Sequence, residues 1–119
     1  MKARNGYAAQ HTPVRTLRDT EYEAVARITR RMIAADASNM NGFKELVAAV
    51  TENRKLWQIF SKDLASSGNK LPDHLKKNLF VLAKFTRSHS SLVLRRKASV
   101  RPLIEINTAI MRGLKSGAP

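Results

Sequence analysis

The chain is predicted to fold as an all-α protein, a small antiparallel bundle of about four helices. Apolar residues recur at three- and four-residue steps in four separate stretches. Clusters of turn formers, DASNMNG at 36–42 and SSGNKL at 66–71, divide the early stretches from one another. A length of 119 residues with 43% hydrophobic content supports one modest core and leaves no room for a second domain. β-branched residues are isolated, and no internal repeat is visible.

Residues 1–15 contain Gly6 and Pro13 and no sustained periodicity. They read as a flexible arm that docks locally through Tyr7 or Val14. Residues 16–115 form the single helical-bundle domain, and 116–119 a frayed tail.

The first helix is expected to begin near Leu17. Thr16 serves as its N-cap, and Asp19, Glu21 and Glu23 favour the positive helix end. Val25, Ile28, Met32 and Ala35 make one apolar face, with Arg27, Arg30 and Arg31 mostly off that stripe. The second helix is expected from about Phe43 to Ser66. Phe43, Val50, Trp57 and Leu64 are spaced by sevens, and Leu46, Asn53 and Phe60 fill the alternate seam positions. Gly68 is the residue expected just past its end in a left-handed conformation.

Pro72 at the first helical position, followed by Asp73, opens the third helix. Leu75, Leu79, Leu82, Phe85 or Thr86, His89, and Leu92 or Val93 mark its inner face. The apolar run Leu79-Phe80-Val81-Leu82-Ala83 widens that face, which predicts a central helix touching others on two sides. Continued to Arg96, it is about 37 Å long at about 1.5 Å per residue. The fourth helix starts around Ser99 to Pro102. Leu103, Ile106, Ile110 and Leu114 form one row, and Ile104, Asn107 and Met111 an adjacent one.

Composition removes several function classes. Zero Cys excludes disulfides, thiolate metal sites and a Cys nucleophile. The five glycines stand apart, so no phosphate-cradling loop exists. His11, His74 and His89 lack partners at metal-ligand spacing; His89 is expected to line the interior, hydrogen-bonded. Glu21 and Glu23 point different ways, and Glu105 is the only acid after Asp73, with Arg101 or Arg112 in reach as partner. No catalytic, cofactor or metal site is expected, and no small-molecule substrate. With no membrane-length apolar run and no signal-peptide core, the chain reads as a soluble cytoplasmic protein without membrane insertion.

Charge is the strongest compositional signal. Twenty-two Lys and Arg against nine Asp and Glu leave a net +13. Such a field attracts phosphates, anionic membranes and acidic protein surfaces. Between Lys84 and Arg101 six basic residues occur with no acid, and Lys84, Arg87 and Arg95 share one side of an ideal helix while Arg96 lies away from them. No recognised nucleic-acid module accompanies the charge, and only 6% of residues are aromatic.

One polar residue interrupts the apolar seam. Asn53 lies one turn before Trp57, and a buried Asn costs free energy unless its amide is satisfied. It either fixes helix register or, with Trp57 and the neighbouring Arg54, rims a groove for a partner helix. The fourth helix poses the same choice, having more apolar positions than one narrow stripe requires.

The segments Asn53-Arg-Lys-Leu-Trp57, Asp63-Leu-Ala65 and Asn69-Lys-Leu-Pro72 resemble the alphaproteobacterial FlaF family of flagellar biosynthesis regulators. So do Pro102-Leu-Ile-Glu-Ile-Asn107 with Ile110-Met-Arg-Gly-Leu114, and upstream Arg15-Thr-Leu-Arg18, Glu21-Tyr-Glu23 and Ala26-Arg-Ile-Thr29. The resemblance spans about residues 7 to 115. It implies a small helical protein without enzymatic activity, required for flagellum assembly. It further implies positive control of flagellin production, counterbalancing the regulator FlbT, and chaperone-like binding of flagellin for secretion. Flagellin is thus the implied partner, with FlbT as a second. The matching blocks put Asn53, Arg54, Leu56, Trp57, Leu103, Ile104, Glu105 and Asn107 at the working surface. The +13 charge departs from that pattern and argues against a purely apolar contact. The alternative is a post-transcriptional regulator that binds flagellin messenger RNA through Lys84, Arg87, Arg95 and Arg96.

Overall fold

The computed structural model describes the backbone of residues 13–115 and the side chains of residues 22–113. Four helices follow one another: α1 (Pro13–Ala34), α2 (Met40–Ala65), α3 (Asp73–Leu94) and α4 (Arg101–Lys115). No strand occurs among the described residues. The all-α bundle expected from the periodicity is the observed fold. The first twelve residues of the expected arm, Tyr7 among them, and the tail 116–119 lie outside the described residues.

The α1 helix begins at Pro13, ahead of the Leu17 start that the capping pattern suggested, so Thr16 sits inside it rather than capping it. Proline suits the first turn, where its missing N–H would find no helical partner. Val25, Ile28 and Met32 are buried as their spacing predicts, together with Ala26 and Thr29. The turn into α2 is organised by Asp36, whose carboxylate accepts from the backbone N–H and hydroxyl of Ser38 and from the Asn39 amide. Those Ser38 bonds hold the Asp36 carboxyl below its usual value. Asn39 then caps α2, accepting from the Gly42 N–H at 2.7 Å. A Cβ at Gly42 would fall 1.6 Å from the Asp36 carbonyl oxygen, so only glycine lets the two backbones approach.

Along α2 most of the predicted seam is buried, Leu46, Val50, Asn53, Trp57 and Leu64 with Ala49 beside them, while Phe43 and Phe60 are half-buried. The helix ends differently from expectation. Ser66 leaves in an extended conformation, and Gly68 adopts no left-handed angle. Asn69 instead bonds Asp63 and the Leu71 N–H, which turns the chain through side-chain hydrogen bonds. Pro72 is the cap residue of α3 rather than its first helical residue.

The left-handed position falls at the end of α3, on Arg96, with φ 60°. The Lys97 N–H reaches the Leu92 carbonyl and the Arg96 N–H the Val93 carbonyl, the paired bonds that close a helix through a left-handed residue. For a residue with a Cβ that conformation costs about 1–2 kcal/mol. The Arg96 guanidinium lies 3.9 Å from the Phe43 ring centroid, a cation–π contact that offsets part of it. The helix therefore stops at Leu94, short of the Arg96 end the pattern allowed.

The α1 helix packs against both α2 and α4, whereas α3 packs mainly against α2 and only lightly against α4. Thus α3 is peripheral, not central. Its buried residues are Thr86, Ser90 and Val93, a narrow stripe, while Phe80, Val81 and Phe85 stay exposed. With 15 residues against 22, α4 is too short to cover all of α3. His89 is half-buried instead of interior; it stacks on Phe85 and bonds the Ser99 carbonyl at 2.7 Å. The apolar core joins Ile28, Met32, Leu46, Ala49, Val50, Val93 and Leu103 at the bundle end that holds the α1–α2 and α3–α4 turns.

Candidate functional site

One layer along from that core the bundle becomes polar inside. Asn107 of α4, 1% exposed, donates from Nδ2 to Thr29 Oγ1 at 3.1 Å and to Asn53 Oδ1 at 2.8 Å. Its Oδ1 accepts from Trp57 Nε1 at 3.1 Å. An indole N–H only donates, so Trp57 fixes which way the Asn107 amide points. Asn107 in turn fixes Asn53, whose Nδ2 is left without a partner, as are the buried hydroxyls of Thr86 and Ser90 on α3.

The residues implied by the family blocks therefore divide. Asn53, Trp57 and Asn107 come together in the buried hydrogen-bonded cluster, and Leu103 is buried in the apolar core. Arg54, Leu56 and Ile104 are half-buried, and Glu105 is exposed. Thr29 completes the cluster; it ends the resembling block Ala26-Arg-Ile-Thr29 but was not placed at the working surface.

Outside this layer, α2 and α3 line a groove of about 520 Å³. Arg54, Trp57, Gln58, Ser61 and Lys62 form one wall, and Phe80, Ala83, Lys84, Thr86 and Arg87 the other. The steps within each wall are those of a single helix face. Trp57, 3% exposed, lines the groove and meets Phe60 in an edge-to-face contact at 5.4 Å between ring centroids. Phe80, 39% exposed, is its accessible aromatic. Lys62 went unnoticed in the sequence, although it lies two helical turns beyond Arg54, and Phe80 was read there only as part of the run widening the inner face of α3.

The four basic residues considered for RNA separate into two groups. Lys84 and Arg87 flank the groove. Arg95 caps α3 and donates from Nε to the Ser91 carbonyl, and Arg96 is stacked over Phe43. On the opposite side of α2, Glu52 accepts from both Arg27 and Arg31 of α1. The Arg27 hydrogen bond is the main cause holding the Glu52 carboxyl below its ordinary value, against desolvation.

Among the described residues no group of three or more His, Cys, Asp or Glu side chains is placed to hold a metal ion. No helix among them is long and apolar enough to cross a membrane. The arrangement is that of a small helical bundle with a polar core layer and a basic-rimmed apolar groove. The family model for flagellar protein FlaF matches residues 3–114, and the chain belongs to that family. It is a protein of the flagellar system. No curated protein and no solved structure matches the chain.

Proposed function

We propose that the protein promotes flagellin production and secretion by binding flagellin directly, as a cytoplasmic, chaperone-like factor without catalytic activity. The observation that carries this reading is the groove between α2 and α3, where an accessible Phe80 lies in a protein of the flagellar system. Flagellin ends are amphipathic helices, and a helix of that kind buries its apolar face in such a groove. Held there, it is masked from premature assembly and remains releasable. FlbT is a second partner compatible with the same mode of action. Burial of Asn53, Trp57 and Asn107 supports assigning them to the bundle's own integrity, with Arg54 and the α3 wall meeting the partner.

Co-purification with flagellin at low and high salt tests this. Phe80→Ala is expected to weaken retention about tenfold or more, as truncation of a buried interface aromatic does. Ile59→Ala, a truncation of an exposed apolar residue outside the groove, should leave retention unchanged. Absence of flagellin from the wild-type preparation at either salt, or equal retention by Phe80→Ala, overturns the proposal.

A further inference from the structure

We propose that the α2–α3 groove receives an amphipathic helix whose acidic residues gather at one end of its apolar stripe. The inference rests on the flagellin-binding reading for the protein that supplies the helix, and on the groove alone for the helix's chemistry.

Length comes first. From Arg54 to Lys62 the α2 wall runs about 12 Å at about 1.5 Å per residue, a little over two turns of a docked helix. The apolar part of the lining, Trp57, Phe80 and Ala83, matches two or three apolar side chains at helical spacing. Charge comes second. Arg54, Lys62, Lys84 and Arg87 line the groove, no acid does, and none of the four is in an ion pair among the described residues. The short 66–72 link makes α2 and α3 an antiparallel hairpin. Arg54 therefore lies toward Lys84 and Arg87 at one end, with Lys62 toward the other. Three unpaired cations concentrate positive potential at that end, and carboxylates answer it.

Other occupants fit less well. A second copy brings another +13, and residues 1–12 carry Lys2 and Arg4 with no acid. RNA phosphates would meet the rim but leave the apolar floor uncovered, with Phe80 as the sole accessible ring for stacking in the groove.

The test is fluorescence anisotropy with a labelled helical peptide of about 12 residues, long enough for three turns. It carries a Leu stripe with Glu clustered at one end. Controls are a shuffled peptide of the same composition and a version with Lys in place of Glu. A uridine oligonucleotide serves as competitor. Each is measured against the full chain and against Lys84→Glu/Arg87→Glu, with helicity checked by circular dichroism. The acidic amphipathic peptide is expected to bind about tenfold tighter than the shuffled one and to lose about tenfold against the double variant. The Lys version should not bind. Equal binding of the shuffled peptide, displacement by the oligonucleotide at equal concentration, or equal affinity for the double variant overturns the inference. Peptide binding without flagellin co-purification sinks the flagellin reading and leaves the groove's chemistry standing. Flagellin retained undiminished by Lys84→Glu/Arg87→Glu, with no peptide binding, does the reverse.

Discussion

Asn107 spends its amide on three neighbours from two other helices. It has two N–H donors, both used, and an oxygen that accepts the Trp57 indole. Replacing it with Leu keeps the volume near and strands Trp57 Nε1 and Asn53 Oδ1 in a dry interior. Each stranded group costs about 1–3 kcal/mol, so Asn107→Leu should destabilise by roughly 3 kcal/mol. Urea unfolding followed through Trp57, the sole tryptophan, reads this directly. A loss under about 1 kcal/mol, the net worth of one ordinary hydrogen bond, would show that the cluster is not a unit. The two flanking residues Asn53 and Trp57 stood out in the sequence because a polar side chain interrupted a seven-residue pattern. Their meeting with Asn107 and Thr29 did not, because periodicity orders residues along one helix and says nothing of the diagonal across a bundle.

At the scale of elements, legibility depended on how sharply each helix separates its faces. The α2 seam was readable because apolar residues alternate with charges at regular steps. The α3 face was not. Five apolar residues in a row, Leu79 to Ala83, contain no period, and the side chains actually buried include Thr86 and Ser90, which hydropathy conceals. Nor was the end of α3 legible, since the left-handed residue is an arginine held over Phe43 instead of a glycine. The α1–α2 pair carries a further consequence. Arg27 and Arg31 hold Glu52 below its ordinary carboxyl value of 4.5 in the folded chain. A carboxyl depressed on folding stabilises the fold above its unfolded value, and that contribution disappears as pH falls through the folded value. Thermal melts of wild type and Glu52→Gln should therefore differ at neutral pH, with the wild type higher, and converge in acid below the usual carboxyl range. The difference at neutral pH is small, because both partners remain partly exposed. A gap that persists unchanged into strong acid would remove the ion pair as its cause.

Across the whole molecule, a net +13 on 119 residues pushes the folded chain against itself. Glu52 neutralises part of the α1 charge, but no acid lines the groove, and among the described residues its cations are in no ion pair. Screening shortens the reach of that repulsion from about 30 Å at 0.01 M salt to about 8 Å at 0.15 M. The melting temperature of the wild type should accordingly rise as sodium chloride is added over that range. In Lys84→Glu/Arg87→Glu two positive charges become two negative ones, lowering the net charge from +13 to +9. Its melting temperature should start higher and respond less to salt. A wild-type value that is flat or falls with salt would mean that local pairs, not global repulsion, set the balance. If the double variant is the more stable protein and the poorer binder, the groove cations oppose folding and serve recognition. A site selected for binding at the expense of stability behaves in this way, whereas a surface charged only for solubility need not concentrate three cations beside an apolar floor.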